Sequence, residues 1–167
     1  KTALGLSFLS TGISKEVPGL LVKFTSIPLR PIFEDYRDHP VISGLLEYDE
    51  PLVLDLNDPS MMDILTSLMS SGEIGNLVLD HPDILSHKGD PNWFKMLEET
   101  ASSARENGIR MIILNYPGSI GPFVSEGVLD LSIDEDRRRS IEVVKWDWDR
   151  SFKGSSIRET EVGEWGI

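Results

Sequence analysis

The 167 residues predict an α/β protein: a three-layer αβα sandwich with a mostly parallel sheet and antiparallel strands at its carboxyl-terminal edge. Three observations carry this reading. Helical and strand patterns alternate through the first two thirds of the chain. The strand candidates there are short continuous apolar runs, the pattern of strands buried on both faces. After residue 127 the helical period disappears and strand follows strand.

The elements follow in order. Ala3, Leu4, Phe8 and Leu9 recur at helical spacing, and GLLVKF at 19–24, set off by Pro18-Gly19, reads as a buried strand. PLVLDL at 51–56 reads as a second strand. The helix after it carries Met62, Ile64, Leu65 and Leu68 on one side, with Asp58 or Ser60 as cap and Gly72 as stop. NLVLD at 76–80 is the next strand. A helical pattern from Asn92 to Asn107 closes at Gly108, and IRMIILNY supplies another strand. GVLDLSI, RSIEVVKWDW and a short final segment then read as consecutive antiparallel strands.

Bulk properties narrow the function classes. A chain of this length buries a sizeable core by itself, so residues 1–167 are read as a single domain. It has no cysteine, which removes thiolate catalysis, Cys-ligated zinc and disulfides, and suits a reducing cytoplasm. Its longest apolar runs, such as MIIL at 111–114, are too short to cross a bilayer, so no membrane partner is expected. The net charge of −12 repels a nucleic-acid backbone and makes DNA the lesser candidate partner. DED at 134–136 and Arg137, Arg138 and Arg139 lie side by side at an expected hairpin tip, where a solvated turn explains them.

The chemistry begins at the first two residues. A phosphate-binding loop has the form GxxxxGK[ST] followed by a helix: backbone N–H groups wrap the phosphates, the lysine reaches their outer oxygens and the hydroxyl holds magnesium. Lys1-Thr2 followed at once by a helix matches the tail of that motif. NLVLD adds an apolar strand ending in Asp80, the place from which such folds bring a carboxylate to the metal. An ordinary cap or turn role for Asp80 stays open.

Order and spacing resemble the RecA superfamily of P-loop ATPases, and within it the KaiC-like proteins. KTALGLSFLSTG resembles the end of the phosphate loop and its helix, PGLLVKF the strand after it, and SGEIGNLVLDHPDIL the Walker B strand. RENGIRMIILNYPGS is similar to the next helix-strand unit, and SEGVLDLSIDEDRRRSIEVVKWDW to the late strands. The resemblance implies a RecA-like P-loop NTPase sheet and binding of ATP with Mg2+. Lys1 would then contact the outer phosphates, Thr2 the metal, and Asp80 the metal through water. It also implies a strand and glycine-rich loop upstream of Lys1, on which both ligands depend, and a homo-oligomeric ring such as a hexamer, with nucleotide between subunits. Asn115, at the end of the neighbouring strand, could sense the terminal phosphate or cap the turn before Pro117-Gly118.

The departures are specific. KaiC-like ATPases carry a glutamate pair just after the strand that LLVKF resembles, and one of the pair activates the attacking water; here Thr25 and Ser26 stand there. A hydroxyl cannot act as a carboxylate base near neutral pH, so general-base assistance of about 10²–10⁴ is missing. The family's Lys-x-Arg finger keeps Lys145 but has Asp147 in place of the arginine. The expectation is therefore an ATP-binding protein with weak or absent hydrolysis that uses nucleotide as a structural or switching ligand. The alternatives are an active ATPase drawing its base from Glu34, Asp35 or Glu47, and a recombination accessory protein resembling RadA paralogues, with Arg137–Arg139 as its basic strip. His39, His81 and His87 lack metal-site spacing, and His81 reads as a turn residue. Trp146 and Trp148 share one strand face and suit an interface anchor.

Overall fold

The computed structural model describes residues 4–6, 8–9, 19–24, 52–55, 60–87, 89, 91–115, 125–133, 139–146 and 156–158. The chain divides into two compact units, Lys1–Tyr116 and Pro117–Ile167.

The first unit is built on four parallel strands: β1 (Gly19–Lys23), β2 (Leu52–Asp55), β3 (Asn76–Asp80) and β4 (Arg110–Leu114), in the order β2-β1-β3-β4. Every residue of β3 is buried, and so are Leu20 to Lys23 of β1. That is why both segments read as apolar runs, since strands covered on both faces have no solvent side to alternate with. Burial of Leu77 and Leu79 on one face and Val78 on the other places the core on both sides of the sheet.

Helix α1 (Met61–Ser71) packs against β2, and α3 (Trp93–Glu106) against β4; a single helical turn, α2 (Ile84–His87), lies between them in sequence. The β2-to-β3 and β3-to-β4 connections step in the same direction along the sheet, so right-handed crossovers place α1 and α3 on one face, where they touch. In α3 the buried stripe is Leu97, Thr100, Ala101 and Ala104. In α1 it is Leu65 and Met69, whereas Ile64 is 39% exposed and falls outside the packed side expected for it. The stripe follows the +3, +4 steps from Met62 through Leu65 to Met69, and Ile64 lies off that line.

The ends of these helices are set by backbone conformation. Ser60 occupies the position before α1 but its side chain makes no capping hydrogen bond, which corrects its expected role. Its carbonyl instead accepts the first helical bond, from Ile64 N at 3.0 Å. At the other end Gly72 takes a left-handed conformation, φ 76°, as the stop signal requires. Gly72→Ala should destabilise the protein by about 1 kcal/mol through that conformation alone, measurable in urea. Among the described residues no atom beyond its chain neighbours lies within 4 Å of an added Cβ there, so a larger loss would contradict a purely conformational cause.

The amino-terminal helical residues, 4–6 and 8–9, lie on the sheet face that carries Val78 and Leu114. A Cβ placed on Gly5 would sit 2.8 Å from Val78 Cγ1 and 3.0 Å from Leu114 Cδ1, closer than side chains pack, so only glycine allows this approach. Leu6 and Leu9 are buried, and the Arg110 guanidinium carbon lies 6.0 Å from the Phe8 ring centre.

The second unit contains the antiparallel strands expected after residue 127. They form a sheet of three, β5 (Gly127–Ile133), β6 (Arg139–Trp146) and β7 (Ser156–Arg158), in that order. The β5/β6 register shifts between Val128 and Leu129. Residues 134–138, with the acidic triplet, Arg137 and Arg138, lie outside the described residues; Arg139 opens β6 opposite Ile133.

Candidate functional site

Parallel pairing in common register brings the carboxyl ends of the four strands to one level: Asp55 beside Lys23, Lys23 beside Asp80, and Asp80 beside Leu114. In open α/β sheets ligands bind outside the carboxyl ends of the strands. Asp80 lies at this edge and is 3% exposed. Its backbone carbonyl accepts a hydrogen bond from Phe24 N at 3.1 Å, and the next residue's N–H, that of His81, donates to Leu114 O at 2.8 Å. The acid is therefore locked between β1 and β4 by main-chain bonds on either side.

His81 turns the chain out of β3. It has φ 59°, a left-handed conformation uncommon outside glycine, and its carbonyl accepts from Ile84 N at 3.3 Å as α2 begins. This agrees with the turn role read for it. The ring stands between two acids, with Nε2 3.8 Å from Asp80 Oδ1 and Nδ1 3.9 Å from Asp83 Oδ1. Asp83 is 1% exposed, and Lys23 is 8% exposed. The buried edge thus carries Lys23, Asp80 and Asp83, with half-buried His81 among them.

Lys23 and Asp83 were not singled out from sequence, although the signal for Lys23 was there: a cation inside an otherwise apolar run, a residue type almost never fully buried unless paired. Asp83 had only the DHPD spacing, which any turn can show.

The remaining candidates separate into three groups. Asn115 follows β4 directly, half-buried, one step past the Leu114 that pairs with Asp80, so it belongs to the same edge. Lys145 lies in the second unit on β6, where its Nζ donates to Ser125 O at 2.6 Å. Lys1, Thr2, Thr25, Ser26, Glu34, Asp35, Glu47, Asp147 and Trp148 lie outside the described residues.

Among the described residues no group of three or more histidine, aspartate or glutamate side chains is arranged to hold a metal ion. The donor chemistry at Asp80 still suits magnesium, a hard cation that keeps several waters and takes only one or two carboxylates from the protein. No helix among the described residues is long and apolar enough to cross a membrane.

No protein-family model and no curated protein matches the chain. Its structure is similar to the crystal structure of a KaiC-like protein from the hyperthermophilic archaeon Pyrococcus horikoshii OT3, with a TM-score of 0.71 at 15% identity. The match covers 95% of this chain and 78% of that one. At this identity the likeness is one of fold: a RecA- and KaiC-like parallel α/β sheet flanked by helices, with further antiparallel strands.

Proposed function

We propose that this chain is a KaiC-like ATP-binding protein that holds nucleotide as a structural or switching ligand and hydrolyses it weakly or not at all. The observation that carries this reading is the close seat of Gly5 on Val78 and Leu114. Val78 points to the same face of β3 as Asp80, and Leu114 is the in-register neighbour of Asp80. Gly5, three residues after Thr2, therefore lies on the face of the buried acid. That is the juxtaposition a phosphate site of this type needs.

In this reading Lys1 contacts the outer phosphate oxygens and Thr2 and Asp80 hold Mg2+, Asp80 through water. Asn115 faces the terminal phosphate, and Lys145 reaches the nucleotide of a neighbouring subunit. Bound Mg2+ supplies neutralisation of phosphate charge. Thr25 and Ser26 offer no carboxylate to activate water, and Asp147 offers no guanidinium to a phosphate, so the chain's own residues favour retention over turnover. The 95% coverage by the KaiC-like neighbour supports reading both units as parts of one KaiC-like domain. In this reading the chain assembles as a homo-oligomeric ring in the cytoplasm.

Calorimetric titration with ATP and Mg2+, on a polypeptide that carries the glycine-rich loop ahead of Lys1, tests the reading. Saturable binding is expected, with phosphate release close to the rate without protein. Lys1→Ala should weaken binding about tenfold or more, the value of a charged hydrogen bond. Absence of saturable binding overturns the proposal, as does brisk phosphate release that Lys1→Ala abolishes.

A further inference from the structure

At the amino-terminal end of the sheet, opposite the edge that carries Asp80, the central strand begins with a polar residue. Asn76 opens β3, is fully buried, and stands in register with Gly19 on one side and Arg110 on the other. Its side chain shares the face of Val78, which is the face covered by the amino-terminal helical residues. Leu9 lies against Gly19 there, and the Phe8 ring lies by the Arg110 guanidinium. The Asn76 amide therefore sits between two contacts of that segment with the sheet. Among the described residues neither its Nδ2 nor its Oδ1 has a hydrogen-bond partner.

Buried polar groups are as a rule paired, and low-dielectric surroundings make an orphan costly. The cost disappears when the helical segment lifts and water reaches the amide, and the β-ladder need not change for that to happen. Leu6 and Leu9, both buried, hold the segment down, and Asn76 works against them. Gly5, seated on Val78 and Leu114, belongs to the same segment. A ligand that bridges Asp80 on the sheet and the residues just ahead of Gly5 binds only the closed form, so it shifts the population toward closure. We propose that the amino-terminal helical segment is a strap that opens ahead of the rest of the fold, loosened by the Asn76 amide, and, resting on the ATP-binding reading above, that bound nucleotide holds it closed.

The test is amide hydrogen exchange at Leu9, with the Ala101 and Ala104 amides of α3 as reference. In the wild-type chain without nucleotide, Leu9 is expected to exchange about tenfold or more faster than the reference amides. Low urea should hardly alter its rate, because a local opening exposes little surface. Asn76→Leu keeps the branch at Cγ and removes the amide, and Asn76→Val does so with a smaller side chain. At least one of them should slow Leu9 exchange about tenfold or more, the value of an unsatisfied buried polar group. Saturating ATP with Mg2+, on the polypeptide that carries the glycine-rich loop ahead of Lys1, should slow wild-type Leu9 exchange by a similar factor.

Leu9 protected as strongly as α3 in the wild type overturns the strap. Unchanged or faster Leu9 exchange in both variants, or failure of both to fold, overturns the role of Asn76, since either result means that the amide is needed where it is. ATP that binds by calorimetry without slowing Leu9 overturns the hold of nucleotide on the strap and leaves the ATP reading standing. Absence of ATP binding overturns that reading, and the exchange rates of the wild type and the two variants still decide the strap.

Discussion

Leu77→Ala is expected to lower the unfolding free energy by about 3–5 kcal/mol, at the upper end of what a single leucine truncation costs. Leu77 is fully buried in β3, the central strand that pairs with both β1 and β4. Truncation removes transfer free energy and leaves a cavity that a strand held on both sides by main-chain bonds cannot close by moving. A domain of this kind has only about 5–15 kcal/mol in total. The urea midpoint should therefore fall steeply with an unchanged slope. Ile64→Ala, at a site 39% exposed on α1, is the control and should change stability by no more than about 1 kcal/mol. Comparable effects at the two positions would contradict the burial pattern.

The second large effect is expected at Gly5, and there the sign matters most. Within a helix, glycine to alanine ordinarily stabilises by about 1 kcal/mol. At Gly5 the added methyl would stand 2.8 Å from Val78 Cγ1, a short branched side chain with no room to rotate away, and 3.0 Å from Leu114 Cδ1. Overpacking of this sort costs about 1–3 kcal/mol. Steric repulsion should win, and Gly5→Ala should be destabilising by up to about 2 kcal/mol net. Val78→Ala makes space for the methyl, so the double variant should be more stable than the sum of the two single losses by about 1 kcal/mol or more. Gly19 provides a contrast: its Cβ would meet Leu9 Cδ2, the far end of a longer side chain, also at 2.8 Å, and the loss there should be smaller. A stabilising Gly5→Ala, or strict additivity with Val78→Ala, would mean that the amino-terminal segment does not lie against β3. The proposed phosphate site of Lys1, Thr2 and Asp80 would lose its support.

How far the fold could be read from residues depends on how local the cause is. NLVLD matched β3 residue for residue, because an apolar run between a glycine and an acid has clear ends. Gly72 and Gly108 were legible as stops, and both have positive φ, at 76° and 67°. Ser60 was a reasonable cap by residue type, yet its side chain does not cap the helix, since capping also needs an extended backbone and Ser60 has φ −83° and ψ −5°. Asp80 could be picked out as the acid ending a strand. Lys23 had a local signal as a cation in an apolar run, but its register with Asp80 had none, because the two are adjacent only through the order β2-β1-β3-β4. Likewise Asp83 joins the site through the left-handed turn at His81, a conformation that histidine does not announce.

The strand order also bears on time. β1 is made early but pairs with β2 and β3, both of which follow it at a distance, whereas β5 and β6 are consecutive antiparallel strands whose contact closes locally. Distant parallel pairings are slow to form, because loop-closure entropy is spent before any contact repays it. As the polypeptide leaves the ribosome, Leu20, Leu21 and Val22 must wait unpaired for partners not yet synthesised, and that interval is when binding by a chaperone would most affect the yield of native protein.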